Sequence, residues 1–142
     1  PSQHEGVIVF IIAATDRVTG GMPQVPPDYN GNWLFWKGED STVNSYALAF
    51  HTGYHQPFAF IKKNPGYHLL TQALDTFKDE QWHSVQIKKR EGMIKLKVDD
   101  EAIVIARDPA DPLMSGHLGF RLRGPGDGTF SAQYKKVRLE KK

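Results

Sequence analysis

The chain has 142 residues, of which 39% are hydrophobic and 24% charged, a composition typical of one globular domain over residues 1–142. Its 18 Lys and Arg residues are interspersed with 16 Asp and Glu residues, which argues against a dedicated nucleic-acid binder. The absence of cysteine excludes disulfide scaffolds, thiol nucleophiles and thiolate zinc sites.

The first predicted element is the apolar run Val7–Ala14. It is too short to span a bilayer and lacks the flanks of a signal peptide, so we interpret it as a strand buried on both faces and expect no membrane partner. The chain begins at Pro1 rather than Met, as a processed chain would. The location stays open on this basis, with a periplasmic or secreted one favoured.

An aromatic segment follows a loop rich in glycine and proline, Thr19–Gly31. We predict a strand over Trp33–Lys37, in which alternation places Trp33 and Trp36 on opposite faces. One of these two tryptophans is expected to stack on a sugar ring and the other to join the core, because sugars present flat C–H faces to aromatic side chains. Trp82, which begins a later strand, is expected to be in the core.

The rest of the chain shows the period-two alternation of half-buried strands, interrupted by turn residues such as Asn64-Pro65-Gly66. No segment sustains a helical period. The predicted strands are Ser45–His51, Phe58–Lys63, Tyr67–Gln72, Trp82–Arg90, Met93–Asp99, Ala102–Arg107, His117–Arg123 and Thr129–Leu139. Many short strands between turns predict an all-β fold, an antiparallel sandwich or jelly roll.

Several motifs resemble those of a known class of jelly roll. Trp82-His83-Ser84-Val85-Gln86-Ile87 and Gly119-Phe120-Arg121 resemble concanavalin A-like (laminin-G-like) sandwiches, which include the 3-keto-disaccharide hydrolase relatives. With His51, the run Lys63-Asn64-Pro65-Gly66-Tyr67-His68 looks like the YesU-like branch of this class. That resemblance implies a role in bacterial pathways that consume pectin-type polysaccharides. Because members of the branch have further strands before the position of Gly6, a missing N-terminal segment or a partner chain is expected to complete the sheet.

Alternation also predicts where a ligand would bind. If the large residues of Ser45–His51 face the core, then Ala47, Ala49 and His51 face an open groove in which small side chains leave space. The same reasoning places three further polar side chains on this face, namely His68, Gln72 and Arg121. These groups form directional hydrogen bonds to hydroxyls, and arginine binds carboxylates through two bonds. The alternative is that they are ordinary solvated residues.

Two bond-cleaving chemistries are candidates for this groove. A glycosidase with paired carboxylates is disfavoured, because no strand carries two acids at a suitable spacing. β-Elimination next to a uronate needs a base and a group that neutralises the carboxylate. If the protein is an enzyme, we therefore expect a polysaccharide lyase or another glycoside-cleaving enzyme, with candidate catalytic residues His51, His68 and Tyr54. The candidate substrate-binding residues are Trp33, Trp36, Lys63, Gln72 and Arg121.

Metal and cofactor sites have little support in the sequence. His51 and His55 are four residues apart but within a predicted turn, so no metal site and no cofactor is expected. A structural calcium held by Asp127 and backbone carbonyls is the remaining alternative, although an Asp-Gly turn is the commoner explanation of this residue.

The sequence therefore predicts a carbohydrate-binding or carbohydrate-active protein. Its partner would be a plant or algal oligo- or polysaccharide that contains uronate, used by bacteria. The alternative is a non-catalytic structural or protein-interaction sandwich, in which an open sheet edge pairs with a partner chain.

Overall fold

The computed structural model describes residues 6–52, 58–74, 80–123 and 131–140. Within these ranges the chain forms eight strands and one helical turn. In chain order they are β1 (Gly6–Asp16), α1 (Leu34–Lys37), β2 (Val43–Thr52), β3 (Phe58–Asn64), β4 (His68–Leu74), β5 (Val85–Arg90), β6 (Met93–Val98), β7 (Glu101–Arg107) and β8 (His117–Arg123). The prediction of an all-β protein is confirmed.

The strands form two antiparallel sheets that pack as a sandwich. The larger sheet has the order β4-β3-β2-β1-β8, and the smaller one has the order β5-β6-β7. β1 lies between β2 and β8, so the first and last of these strands are neighbours although more than 100 residues separate them. The predicted jelly-roll type of β-sandwich is confirmed.

The core lies between the two sheets and follows the predicted alternation. Tyr46, Leu48 and Phe50 of β2 are fully buried, and they pack against apolar side chains from β6 and β7. Residues of one strand alternate between two faces, so one apolar set fills the space between the sheets while the other set lies outside. The core thereby fixes which side chains of β2 point outward.

A polar network joins the two sheets within this core. The Tyr46 hydroxyl donates to Oδ2 of Asp108 at 2.6 Å and accepts a bond from the backbone N–H of Leu113 at 2.9 Å. Nζ of Lys63 lies 2.7 Å from the same carboxylate oxygen. Burial raises the pKa of Asp108, but the hydrogen bonds from Lys63 and Tyr46 outweigh it and hold this pKa below its usual value. Because β2, β3 and the end of β7 all contribute, the network fixes their relative positions.

A bulge interrupts the pairing of β3 with β4. Ile61 pairs with Thr71 while Lys62 pairs with Leu69, so Leu70 is an extra residue on β4. An extra residue reverses the alternation of the strand beyond it. Side chains of β4 that precede the bulge therefore point to the opposite face from the one that uninterrupted alternation predicts.

Two of the predicted strands are wrong. Trp33–Lys37 contains the helical turn α1 instead, in which Oδ1 of Asn32 accepts a bond from the N–H of Leu34 at 3.0 Å and the Lys37 N–H donates to the Trp33 carbonyl at 3.1 Å. Residues 131–139 of the predicted strand Thr129–Leu139 are also not in a strand. Both edges of β1 are already occupied by β2 and β8, which leaves no place there for a further strand.

The segment 131–140 covers part of the inner side of β1 and β8. The Tyr134 ring lies 4.7 Å from the ring of Phe120 and 6.2 Å from that of Phe10, measured between centroids. Lys135 places its Nζ 3.7 Å from the ring centre of Trp82. The prediction that Trp82 is a core residue is wrong, because its side chain remains 57% exposed beneath this lysine.

Candidate functional site

The outer face of the larger sheet, the one turned away from the smaller sheet, carries most of the predicted site residues. Paired residues of antiparallel strands point to the same face, and Val9 pairs with both Ala49 and Arg121. The outer face contains Val7, Val9 and Ile11 of β1, Ala47, Ala49 and His51 of β2, Phe58, Phe60 and Lys62 of β3, Gln72 of β4, and Arg121 and Arg123 of β8.

The centre of the outer face is covered rather than open. Ala47 and Ala49 are fully buried, under an apolar layer that includes Trp33, Trp36 and Phe60. The expectation of ligand space above the two alanines is therefore wrong. The aromatic segment folds over the sheet as α1, and small side chains below it allow the large rings to pack closely.

An open hollow with a volume of about 340 Å³ remains beside α1. Nη2 of Arg121 donates to the carbonyl of Gly31 at 3.2 Å, and the guanidinium carbon lies 4.5 Å from the centre of the Trp33 ring. Trp33 and Arg121, two of the predicted binding residues, are thus in contact although they belong to different elements. We call this space the Arg121 hollow; it is lined by Asn32, Trp33, Leu34, Lys37, Arg121 and Arg123.

Tyr67 belongs to the same region, although sequence reasoning gave it no role. Its ring centre lies 5.9 Å from that of Trp33 and 5.8 Å from that of Phe60, and Nζ of Lys62 lies 3.9 Å above it. Burial raises the pKa of its hydroxyl, an effect that a hydrogen bond with Trp33 and the charge of Arg121 partly oppose. The sequence feature that could have pointed to Tyr67 is its position directly after a Pro-Gly turn, beside a strand that carries outward-facing aromatic residues.

Two further cations of the hollow were also missed. Arg123 is two residues from Arg121 on β8, so alternation alone places both on one face. Lys37 ends α1, and no sequence signal predicted it because this segment was assigned to a strand.

His51 lies on the outer face, packed against aromatic rings. Its ring is stacked on that of Phe58, with 4.3 Å between centroids and 17° between planes. Burial lowers the pKa of His51, and the charges of Arg123 and Lys62 lower it further. The neutral imidazole is therefore the favoured form at neutral pH.

The predicted cluster of His51, His68, Gln72 and Arg121 does not form. His68 pairs with Lys63, whose side chain reaches between the sheets, so the β4 bulge places His68 on the face opposite to His51. Gln72 shares the face of Arg121, but β3, β2 and β1 separate their strands. Four interstrand spacings of about 4.8 Å place their backbones roughly 19 Å apart.

Three other predicted residues do not contribute to the hollow. Lys63 was expected to bind substrate, but its Nζ instead binds the Asp108 carboxylate and two backbone carbonyls of the loop that follows β7. Trp36 donates its Nε1–H to the Tyr29 hydroxyl at 3.1 Å and packs on Phe35, and it does not line the hollow. The candidate catalytic Tyr54 lies outside the described residues.

The described ranges offer neither a cluster of metal ligands nor a membrane-spanning helix. These ranges contain no group of three or more His, Asp or Glu side chains that could hold a metal ion. Asp127 and His55, considered in the sequence, lie outside them. Across the same residues, no helix has both the length and the apolar character needed to cross a membrane.

Comparison with solved structures supports the fold. The chain is similar to a Bacillus subtilis protein whose crystal structure is described as that of a protein of unknown function with a galectin-like fold, with a TM-score of 0.71 and 18% sequence identity. The similarity covers 84% of this chain and 63% of the Bacillus chain. No family model matches the sequence, and no curated protein matches it. The similarity thus establishes a galectin-like β-sandwich fold.

Proposed function

We propose that this protein binds a saccharide at the Arg121 hollow. The observation that carries the proposal is the contact between Arg121 and Trp33 at the edge of an open space on the outer face of the larger sheet. A galectin-like fold favours such a function, although fold alone does not establish one.

The hollow offers the two kinds of group that sugars need. Trp33 lines the hollow and supplies aromatic surface for the C–H faces of a sugar ring, and its ring is packed against Tyr67. The side chains of Asn32, Lys37 and Arg123 supply hydrogen-bonding groups for hydroxyls at the rim. An aromatic wall combined with a few polar groups is the usual composition of a small-ligand site.

The finer assignment extends this proposal. We infer a plant or algal saccharide that contains uronate, used by a bacterium, as the resemblance to the YesU-like branch implies. The chain spans 63% of the length of the Bacillus protein. If it is one part of a longer protein, the activity of that whole protein belongs to the same proposal. A periplasmic or secreted location would fit a protein that meets such saccharides.

Binding is favoured over bond cleavage. Of the three candidate catalytic residues, His51 is on the outer face, His68 is on the opposite one, and Tyr54 lies outside the described residues. A lyase would need its base and its carboxylate-neutralising group around the same sugar. Incubation with uronate polymers tests this point directly, because β-elimination gives an unsaturated product that absorbs in the ultraviolet.

A glycan array followed by calorimetric titration tests the binding proposal. We expect at least one saccharide to bind and the Trp33→Ala variant to lose about 5- to 150-fold in affinity. This range assumes that stacking of a sugar on Trp33 contributes about 1–3 kcal/mol, as stacking of a nucleic-acid base on an aromatic side chain does. Trp82→Ala is the matched control, because Trp82 is exposed and contacts the segment 131–140 instead of the hollow. Both variants must first show the native circular dichroism spectrum.

Two results would contradict the proposal. Failure of every saccharide on the array to bind the folded protein would remove it entirely. Equal affinity of Trp33→Ala and wild type would move the site away from the hollow.

A specific observation favours the alternative of a protein-interaction module. β8 is an edge strand, and its inward-facing Leu118 and Phe120 are 40% and 42% exposed. An unpaired edge beside exposed apolar side chains is a place where another strand can add. Light scattering across a concentration series, for wild type and Phe120→Ser, would detect such an association, and a monomer at every concentration would argue against self-pairing.

A further inference from the structure

The outer face carries four cations close to one another. Lys37, Arg121 and Arg123 line the Arg121 hollow, and Lys62 lies over the adjacent Tyr67 ring. Within the described residues, no carboxylate lies at ion-pairing distance from any of the four, whereas Lys63, on the opposite face of the same sheet, is paired with Asp108. The described residues around this face therefore do not neutralise its positive charge.

The like charges on this face also affect the pKa values of neighbouring groups. Burial lowers the pKa of Lys62, and the charge of Lys37 lowers it further. The pKa of His51 is lowered mainly by burial, and the charges of Arg123 and Lys62 lower it further. Like charges held together at a partly buried surface cost free energy, and a bound anion would relieve that cost.

Arg121 is held in one orientation before any ligand arrives. Its guanidinium group is stacked on Trp33 at 4.5 Å and donates one bond to the Gly31 carbonyl at 3.2 Å. A guanidinium group has five N–H donors, so others remain available at its edge. Arg123 points from the same face of β8, with a backbone separation of roughly 6.8 Å, which lets both groups reach one anion.

We propose that the ligand of the hollow is an acidic saccharide, whose carboxylate or sulfate ester is bound by Arg121, Arg123 and Lys37. This inference rests on the proposed function and adds the residues that select an acidic group on the saccharide, whether a uronate carboxylate or a sulfate ester. The two arginines bind the anion through paired hydrogen bonds, and Lys37 contributes a single charge from the end of α1. A hollow of about 340 Å³ suits one small unit or the end of a chain rather than a long segment.

Calorimetric titration with three sets of oligosaccharides of equal length tests the inference. The sets are oligogalacturonates, sulfated galactan oligosaccharides and neutral galactan oligosaccharides. We expect one acidic set to bind at least about tenfold more tightly than the neutral one, as loss of a charge-assisted hydrogen bond predicts. This preference should shrink as NaCl rises from 50 to 500 mM, values we choose because the Debye length falls from about 14 to about 4 Å.

The Arg123→Gln variant provides the second arm. It should lose about tenfold in affinity for the acidic set and clearly less for the neutral set, because the glutamine amide still donates hydrogen bonds to hydroxyls but carries no charge. Arg107→Gln is the matched control, because Arg107 is exposed at the end of β7 in the smaller sheet and should change neither affinity.

The outcomes separate this inference from the proposal on which it rests. If the neutral and acidic sets bind equally, and neither salt nor Arg123→Gln has an effect, the inference that the ligand is acidic is overturned. The proposal that the hollow binds a saccharide would then still stand. Failure of both acidic sets to bind, while another saccharide on the glycan array binds, would overturn the acidic ligand alone. Failure of all three sets and of every saccharide on the array would overturn both. Binding of polyphosphate or RNA with the affinity of the acidic set would overturn selection for a saccharide.

Discussion

Replacement of Tyr46 by phenylalanine would test whether the polar network between the sheets stabilises the fold. The Tyr46 hydroxyl donates to the Asp108 carboxylate at 2.6 Å and accepts the Leu113 N–H at 2.9 Å. Loss of a hydrogen bond to a charged group costs about 1.5–3 kcal/mol, and loss of a neutral one costs about 1 kcal/mol. The ring itself keeps its packing. The Tyr46→Phe variant should therefore lose about 2.5–4 kcal/mol in free energy of unfolding, a large part of the usual ~5–15 kcal/mol.

Urea denaturation followed by tryptophan fluorescence measures this loss. The midpoint should fall with the slope unchanged, since the same surface is exposed on unfolding. Tyr134→Phe is the matched control, because the Tyr134 ring is 41% exposed and its hydroxyl makes no hydrogen bond with the described residues; it should change stability by less than about 0.5 kcal/mol. A loss below about 1 kcal/mol in Tyr46→Phe would refute the reasoning.

The acid side of the stability curve gives an independent check. The pKa of Asp108 is held below its usual value, so its ionised form contributes stability above about pH 4, its pKa in the unfolded chain. That contribution is lost as the pH falls through the lowered pKa. Tyr46→Phe removes one of the bonds that lower this pKa, so its stability should depend less steeply on pH in this range.

Two further predictions concern His51 and the turn between β5 and β6. Burial and neighbouring cations lower the pKa of His51, so its neutral form contributes stability above about pH 6.5, and this contribution is lost as the pH falls through the lowered pKa. In thermal melts between about pH 7 and pH 5, values set for the assay, the melting temperature of His51→Gln should therefore decline less steeply than that of the wild type. An unchanged slope would contradict this. Gly92 has φ +79°, and a Cβ there would lie 2.8 Å from the Asp108 carbonyl, whereas Gly20, at φ +70°, has open space. Gly20→Ala and Gly92→Ala both introduce backbone strain of about 1–2 kcal/mol. In urea denaturation, the free energy of unfolding of Gly92→Ala should fall by about 1–3 kcal/mol more than that of Gly20→Ala, because of the additional clash. Equal losses in the two variants would contradict the clash.

The strands could be predicted because their residues alternate strictly. β8 has the predicted bounds, His117–Arg123, and β6 differs from its prediction by one residue. In β2 the inward set of Tyr46, Leu48 and Phe50 is fully buried, as the pattern of large residues indicated. A strand that buries one face needs alternating apolar and polar residues, whatever the rest of the fold is. This alternation is therefore a local signal that can be read from the sequence.

The site could not be predicted to the same extent, because two non-local features determine it. The bulge opposite Ile61 and Lys62 reverses β4, and no residue in the sequence marks its position, so His68 was assigned to the wrong face. Lys63 is a different case. The alternation of β3 places it on the face of Ile61, between the sheets, and this signal was present in the sequence.

The helical turn α1 had the largest effect on the site. Four residues are too few to show a helical period, and aromatic residues favour strands, so the local pattern indicated the wrong element. In the fold this segment pairs with none of the described strands, and its rings instead bury Ala47 and Ala49 of the larger sheet. The covered centre leaves the cationic end near β8 accessible on the outer face. Recognition at this end depends on Trp33 and Arg121, which strand alternation alone does not bring together.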